Sequence, residues 1–287
     1  APKGCRHSHA TVGATVLGGL RWFGLHEDDV FLSVLPFFHV TGLVGSLLGP
    51  LLAGATVVVQ PRWQREAAAD LIERHRVTVW QSISTMVIDF LGLPGIERRD
   101  LRSLRLLRGG GAAMPEALAQ RLHALTGLHY VEGYGMSETI AATHINPPHA
   151  PTPQCLGIPV FEVDARLIDP GTLTELPADP QAVGEIVVHA PQGMQGYWNR
   201  PEADAEAFMT LDGKRFLRTG DLARVDAQGR FFMVDRLKRM INAAGFKVWP
   251  AEVEALLFGH PAIAEACVIG VPDARRGESV KALVVLR

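Results

Sequence analysis

Hydrophobic and polar positions alternate regularly through the middle of the chain. Short apolar runs, typical of buried strands, take turns with longer segments in which apolar residues recur at helical spacing. Continuous apolar strands between amphipathic helices predict a mostly parallel sheet with both faces covered. The predicted strands are residues 57–60, 77–81, 104–108 and 129–131, and the predicted helices are 64–75, 84–91 and 115–125.

Residues 42–59 form the longest apolar stretch and come close to the length of about eighteen residues at which a membrane span is considered. Gly49, Pro50 and Gly54 interrupt this stretch, and its end is rich in β-branched residues. We therefore predict an apolar helix, a turn and a buried strand, and no transmembrane segment.

The pattern changes after residue 145. A proline-rich connector at 146–153 is followed by short strand-like runs at 163–168, 185–189, 223–225 and 230–234, which predict a small antiparallel β subdomain. After Asp235, Pro250 opens a predicted helix (250–258), and strand-like runs follow at 266–271 and 280–286.

The predicted fold class is α/β: a mostly parallel sheet with flanking helices plus a small β-barrel-like subdomain, followed by the start of a small α+β C-terminal domain. The predicted boundaries are 1–145 for the α/β part, 146–234 for the β-rich subdomain, and 235–287 for a hinge with a truncated C-terminal domain. A length of 287 residues is compatible with about two domains.

Charge and cysteine content narrow the classes of partner. The formal net charge is −2 and the isoelectric point about 6.6, so electrostatics give no reason to expect nucleic acid or an anionic membrane as the main partner. Cys5, Cys155 and Cys267 are far apart and lack metal-ligand spacing, which favours free thiols in a reducing cytoplasm. No secretory signal pattern is visible at the start, so we expect a cytoplasmic protein.

The candidate chemistry centres on residues 133–139, Gly-Tyr-Gly-Met-Ser-Glu-Thr, which follow the predicted strand 129–131. We predict a turn there, in which two glycines bring backbone close to a flat ligand while Ser137 and Glu138 face a phosphate or metal ion. A glycine-rich turn alone is more often a simple chain reversal. A second one, at 108–112, closes the preceding strand, and parallel sheets bind ligands at the carboxyl ends of their strands.

The ordered set of motifs resembles the adenylate-forming superfamily, which comprises acyl-CoA synthetases, adenylation domains of peptide synthetases and luciferases. A single motif is a weak match, but nine in the order of the family are a strong one. The motifs are Pro2-Lys3-Gly4, Pro36-Phe37-Phe38-His39, residues 109–112, residues 134–139, Gly184-Glu185, Gly196-Tyr197 with Pro201-Glu202, Thr219-Gly220-Asp221, Asp235-Arg236 with Lys238, and residues 245–254.

The resemblance implies an AMP-forming acid–thiol ligase. In this family a carboxylate attacks the α-phosphate of ATP to give an acyl-adenylate and pyrophosphate, and a thiol then takes the acyl group. The implied cofactors are ATP, Mg²⁺ and CoA, with Glu138 as the metal ligand and Ser137 on phosphate. The other implied nucleotide-binding residues are Gly109, Gly110, Gly111, Ala112, Tyr134 and Gly135 for adenine, and Asp221 with Arg236 for ribose.

By the same resemblance, the acyl group is bordered by small and apolar residues. They are His39, Val40, Gly42, Ser82, Met86, Gly135 and Met136. No acidic residue follows Phe38 to hold an ammonium group, which favours a fatty or aromatic acid over an amino acid. The segment 245–254 looks most like that of fatty acyl-CoA ligases, in which it approaches the pantetheine arm, so a fatty acid is the expected substrate.

The implied catalytic residues are Glu138, Ser137, His39 and Lys247, and Lys238 is the implied hinge between half-reactions. Simpler interpretations remain open: Asp221 as a turn residue, Arg236 as a surface charge, and His39 as a core or edge histidine.

The sequence departs from the family pattern at both ends. It begins at the Pro-Lys-Gly that closes the family's phosphate loop, and the family's C-terminal catalytic lysine has no counterpart, because only Lys281 follows Lys247. We therefore expect an internal fragment that is weakly active or inactive alone.

Three alternatives to a fatty acyl-CoA ligase stay open: an adenylation domain that loads a carrier protein, an aryl-acid CoA ligase, and a catalytically silent acyl- or nucleotide-binding fragment. The expected partners are a small carboxylic acid, ATP and CoA, with no nucleic acid. A homodimer is left open.

Overall fold

The computed structural model describes residues 2–111, 113–177, 179–244, 246–273 and 275–287. Its strands are β1 (Cys5–Arg6), β2 (Val30–Ser33), β3 (Thr56–Val59), β4 (Val79–Ser82), β5 (Leu106–Gly110), β6 (Tyr130–Met136), β7 (Ala141–Ile145), β8 (Ile158–Pro159), β9 (Asp164–Ile168), β10 (Gly184–His189), β11 (Gly196–Tyr197), β12 (Phe208–Leu211), β13 (Lys214–Val225), β14 (Phe231–Arg236), β15 (Ile241–Ala243), β16 (Phe246–Val248), β17 (Ile263–Asp273) and β18 (Gly277–Leu286). Its α-helices are α1 (His9–Phe23), α2 (Val40–Gly42), α3 (Gly49–Ala53), α4 (Arg65–His75), α5 (Ser84–Leu91), α6 (Glu116–Thr126), α7 (Pro201–Ala207) and α8 (Pro250–Phe258).

Two compact units divide the chain. The first comprises Ala1–Asp164 and Val188–Leu217, and the second comprises Ala165–Val187 and Arg218–Arg287. The first unit contains a seven-stranded sheet in the order β3-β2-β4-β5-β6-β7-β8. Its first five strands are parallel, and β7 and β8 join antiparallel at one edge. The predicted α/β class with a mostly parallel sheet is confirmed.

The central parallel strands β2, β4 and β5 begin with apolar residues because both faces of the sheet are covered there. The edge strand β3, which was predicted to be buried, is partly exposed, with 53% of Val59 exposed. Alternate side chains enter two separate clusters: Trp80 and Leu107 pack on one face, Val79 and Leu106 on the other. Residues of α4, α5 and α6 cover the first face, and residues of α1 and α3 contribute to the second. Burial on both faces explains why these strands read as continuous hydrophobic runs in the sequence.

The second unit is built largely of antiparallel strands. It contains β9, most of β10, the second part of β13 and β14, with β14 paired to β13 from Asp221 onwards. A four-stranded antiparallel sheet follows in the order β16-β15-β18-β17, and α8 packs against β17. Pro250 is the first residue of α8, as predicted.

One prediction near the site is wrong: residues 133–136 do not form a turn. They continue β6 as far as Met136, because β7 pairs with them antiparallel and supplies partners for their backbone groups. A register shift between Tyr134 and Gly135 marks where the pairing is irregular, and the chain turns only at Ser137–Thr139, as a 3₁₀ helix.

The sequence reading missed α1, which precedes the predicted alternation. Three of its residues are glycines, which lower helix propensity, and the clearest signal for it is Ser8, an N-cap that forms a capping box with Thr11. The predicted apolar helix within 42–59 is confirmed, with a π-helical segment at Leu43–Leu48 between α2 and α3. No helix in the described ranges is long and apolar enough to cross a membrane.

Candidate functional site

The carboxyl ends of β4, β5 and β6 bring the predicted nucleotide residues together in the first unit. Gly109 is the register partner of Ser82, and Gly110 is the partner of Gly133. A Cβ atom on Gly109 would overlap the phenol oxygen of Tyr130 and the carbonyl oxygen of Ser82. Packing between strands therefore requires glycine there. Gly109 itself is buried under Tyr130, whereas Gly110 is half-buried and Gly111 is exposed.

Tyr134, predicted to contact adenine, is buried and has a buried histidine beside it. The ring centroids of Tyr134 and His144 lie 5.6 Å apart with their planes inclined by 60°. Burial lowers the pKa of His144 from 6.5 to about 3, so the imidazole is neutral at physiological pH. An uncharged histidine therefore packs edge-on against the tyrosine and adds no charge there.

Gly135, which was predicted for both the nucleotide and the acyl group, and Met136, which was predicted for the acyl group alone, complete β6. A Cβ atom on Gly135 would overlap backbone of Ala141 in the paired strand, so the glycine is required by the β6–β7 pairing itself. Gly111 follows β5 in a left-handed conformation with a φ of 86°, which favours glycine.

Ser137 and Glu138 lie in the 3₁₀ turn directly after β6. The Tyr197 hydroxyl donates a 2.7 Å hydrogen bond to Glu138 Oε1, and Met194 N–H donates a 2.8 Å bond to the Glu138 carbonyl. Among the described residues, Glu138 Oε2 has no hydrogen-bond partner, and the Glu138 side chain is only partly buried.

This arrangement fits Mg²⁺ carried in by a nucleotide. Magnesium prefers hard oxygen ligands and is commonly held by one or two carboxylates together with substrate phosphates. Glu138 offers one such oxygen, and the described part of the chain contains no cluster of three or more His, Cys, Asp or Glu side chains that could bind a metal without a nucleotide.

The predicted acyl-site residues belong to the same unit. His39 is exposed and caps α2, with Nδ1 accepting a 3.2 Å hydrogen bond from Thr41 N–H, and Val40 follows it. Gly42 is buried, and a Cβ atom there would overlap the carbonyl oxygen of Pro36. Two further predicted residues, Ser82 at the end of β4 and Met86 on α5, are buried and half-buried. Their contact with an acyl group remains a prediction.

In the second unit, Asp221 and Arg236 are register partners on β13 and β14. Arg236 Nε lies 3.2 Å from Asp221 Oδ1, and the aspartate is buried whereas the guanidinium is exposed. Glu185 holds the part of β13 that precedes Asp221: Oε1 accepts a 3.0 Å bond from Gly220 N–H, and Oε2 accepts a 2.7 Å bond from Arg218. Asp221 therefore lies within a strand and not in a turn, and its carboxylate is carried by a firmly held backbone.

Lys238, the predicted hinge residue, is exposed in a 3₁₀ turn at Leu237–Arg239. The chain on both sides of it is tied down within the second unit. Asp235 Oδ2 accepts a hydrogen bond from the N-terminus of α8, and Arg239 Nη2 lies 2.7 Å from Glu254 Oε1. The hinge role of Lys238 stays a prediction.

Lys247 lies in the middle of β16, opposite Asn242, and is exposed. Two predicted positions, Ala112 of the adenine set and Gly245 of the 245–254 motif, lie outside the described residues.

Sequence reasoning missed the roles of Tyr197 and Glu185. Both belong to motifs that the sequence singled out, but each was treated as part of a turn, because their partners are 59 and 35 residues away in the chain. His144 carries no local signal, and its position beside Tyr134 follows only from the pairing of β6 with β7.

The AMP-binding enzyme family model matches residues 1–198, and the model of the AMP-binding enzyme C-terminal domain matches residues 252–287. The chain belongs to the AMP-binding enzyme family. The expected membership of the adenylate-forming superfamily is thus confirmed.

Among curated relatives, the chain is 37% identical to a long-chain-fatty-acid–CoA ligase of Bacillus subtilis, covering 100% of this chain and 51% of the relative. It is 39% identical to a feruloyl-CoA synthase of Amycolatopsis, covering 99% and 57%. It is 38% identical to 4-coumarate–CoA ligase 5 of rice, covering 100% and 54%. The chain spans about half the length of the curated relatives it matches.

Solved structures agree with this membership. ATP-bound MatB from Rhodopseudomonas palustris superposes with a TM-score of 0.89 at 31% identity, covering 99% of this chain and 55% of MatB. The o-succinylbenzoate CoA synthetase of Bacillus subtilis with its acyl-adenylate intermediate superposes with a TM-score of 0.84 at 29% identity, covering 100% and 57%. The same synthetase has also been solved with ATP and magnesium ion.

Proposed function

We propose that the full-length protein containing this chain is an ATP-dependent, AMP-forming acyl-CoA ligase. One observation carries the proposal: glycines without side chains lie together where β5 and β6 end, and the Glu138 carboxylate lies in the turn directly after β6. Such an arrangement suits a purine against backbone and a metal-bound phosphate against one carboxylate oxygen. CoA-ligase relatives at 37% to 39% identity support it.

The residues of this chain would act mainly by binding and orientation. Gly109, Gly110 and Tyr134 would receive the adenine, Ser137 would contact phosphate, and Glu138 would hold the Mg²⁺ of the nucleotide. The bound Mg²⁺ would supply neutralisation of the negative charge that gathers on the phosphates.

We propose a separate set of roles in the second unit. Asp221 would accept hydrogen bonds from the two ribose hydroxyls, since a carboxylate can take both at once, and Arg236 would keep its oxygens oriented. Lys238 would be the hinge and Lys247 would serve the thiol half-reaction.

We propose a fatty acid as the acyl substrate, with a hydroxycinnamate-type aromatic acid as the second candidate. The long-chain-fatty-acid–CoA ligase supports the first, and the feruloyl-CoA synthase and 4-coumarate–CoA ligase support the second at equal or slightly higher identity. The absence of an acidic residue at His39-Val40-Thr41 supports either over an amino acid. We also propose a cytoplasmic location, which the free thiols of Cys5, Cys155 and Cys267 support.

The proposal is tested by calorimetric binding of non-hydrolysable acyl-adenylate analogues to the full-length protein. The series would run from acetyl to palmitoyl and include benzoyl and feruloyl analogues. We expect tight binding of one chemical class and a loss of at least about tenfold on Asp221→Ala, which removes a charge-assisted acceptor. ATP- and acid-dependent formation of a CoA thioester with the same acid would then confirm the second half-reaction.

Two outcomes would contradict the proposal. If the folded full-length protein bound none of the analogues, it would have no acyl-adenylate site. Transfer of the acyl group only to a carrier protein, with free CoA inactive, would assign the protein to the carrier-loading adenylation domains.

A further inference from the structure

Tyr197 makes a direct contact with the residue proposed to bind the metal. Its hydroxyl donates a 2.7 Å hydrogen bond to Glu138 Oε1, and the residue is buried, with 6% of its surface exposed. A hydrogen bond from a neutral O–H to a carboxylate is charge-assisted and stronger than one between neutral groups. The phenol is the donor in this pair because an ionised carboxylate can only accept.

Tyr197 is itself held from three directions. It pairs with Cys5 in the short sheet formed by β1 and β11. Its backbone N–H donates a 2.7 Å hydrogen bond to Asp204 Oδ1. The ammonium group of Lys3 lies 4.0 Å from the centroid of its ring, within the range of a cation–π interaction. These contacts restrain the position of the phenol hydroxyl, and the Glu138 carboxylate accepts its hydrogen bond at that position.

The backbone around Glu138 is fixed by the same two segments. Met194, three residues before Tyr197, donates to the Glu138 carbonyl at 2.8 Å. His7, on the segment that continues β1, places Nε2 2.8 Å from the carbonyl oxygen of Ser137. With both its main chain and Oε1 restrained, Glu138 keeps only Oε2 without a hydrogen-bond partner among the described residues.

We propose that Tyr197 is a positioning residue for the nucleotide-bound metal ion: by holding Oε1 of Glu138, it directs Oε2 towards the cation. The inference rests on the proposed function, because it takes Glu138 as the metal ligand. Hydrogen-bond partners that orient a metal ligand typically contribute 10- to 100-fold to metal affinity, roughly the effect expected here. Lys3 contacts the ring of the same tyrosine, so the Pro-Lys-Gly segment is linked to Glu138 through Tyr197.

Mn²⁺ binding to the full-length protein, followed by electron paramagnetic resonance, tests this inference. Mn²⁺ replaces Mg²⁺, and a non-hydrolysable ATP analogue supplies the phosphates. We expect Tyr197→Phe, which keeps the ring and removes only the hydroxyl, to weaken Mn²⁺ binding about tenfold. Affinity for the analogue in excess EDTA should not change. Glu138→Gln should lose the Mn²⁺ affinity that the Glu138 carboxylate provides. Trp198→Phe changes the exposed neighbour of Tyr197 and should bind Mn²⁺ as the wild type does.

The outcomes separate this inference from the proposed function. Wild-type Mn²⁺ affinity in Tyr197→Phe, with Glu138→Gln impaired, would overturn the positioning role alone. An equal loss of affinity for the ATP analogue with Mn²⁺ and in EDTA would also overturn it, since such a loss indicates a general structural effect. If the wild-type protein fails to bind the analogue, or Glu138→Gln binds Mn²⁺ normally, the proposed metal site itself fails.

A second variant covers the case in which Tyr197→Phe does not fold. Glu138→Asp keeps the carboxylate but withdraws it from the phenol by one methylene. It should also weaken Mn²⁺ binding while leaving metal-free nucleotide affinity intact. Normal Mn²⁺ affinity in this variant would overturn the inference.

Discussion

The buried His144 predicts a specific loss of stability on acidification. Its pKa is lowered by burial from 6.5 to about 3, because charging an imidazole in the protein interior is unfavourable. Between these two values the unfolded chain binds a proton that the folded chain does not. Stability is therefore fully present above the unfolded pKa and is lost as the pH falls towards the folded one.

The magnitude follows from proton linkage. A single site with a pKa of 6.5 when unfolded and about 3 when folded removes about 2 kcal/mol of unfolding free energy between pH 7 and pH 5. Glu132 contributes with the opposite sign, since burial raises the pKa of its carboxyl group. A comparison of two variants that both retain Glu132 cancels that contribution.

The assay is urea denaturation of the full-length protein and of His144→Gln at pH 7, 6 and 5. Glutamine keeps a polar side chain beside Thr143 Oγ1, which lies 3.0 Å from Nδ1 of the imidazole, but it does not titrate. Whatever the stability of His144→Gln at pH 7, we expect its loss on acidification to be smaller than that of the wild type by about 2 kcal/mol. Parallel pH profiles for the two proteins would refute the reasoning, because they would show that folding does not prevent protonation of His144.

Three further predictions concern packing, charge and nucleotide binding. Gly109→Ala places a Cβ atom on oxygens of two neighbouring residues and should lower the unfolding free energy by about 1–3 kcal/mol, as measured by urea midpoint. Asp29→Ala leaves Arg105 without its fully buried carboxylate partner and should cost about 3 kcal/mol, whereas Asp28→Ala, at an exposed site, should cost less than about 1 kcal/mol. Asp221→Ala should weaken ATP binding by at least about tenfold in calorimetry while the midpoint of thermal unfolding moves little.

Local sequence signals were sufficient to predict the parallel sheet of the first unit. The segments that form β4 and β5 start with short apolar runs and lie between helices with one apolar face, and a covered parallel sheet buries both faces of such strands. Local pattern did not show that β3 lies at the edge of the sheet and is partly exposed. The ends of β5 and β6 were placed together by the general rule that neighbouring parallel strands end at the same edge.

The sequence did not reveal where β6 ends. Gly133 and Gly135 favour a turn when only local propensity is considered. In the structure, β7 pairs along them and supplies partners for their backbone groups, so the strand continues to Met136. A partner strand that follows along the chain overrides local propensity, because backbone groups gain more from a continuous ladder than the glycines lose in conformational entropy.

The sequence by itself therefore determined the family, the class of fold and the types of side chain available for nucleotide chemistry. Only the tertiary structure decided how those side chains are oriented. Tyr197 and Glu138 are 59 residues apart, and Asp221 meets Arg236 only through strand register. Motifs in a sequence report which groups are present, whereas hydrogen bonds between distant residues depend on packing and register, which no local pattern encodes.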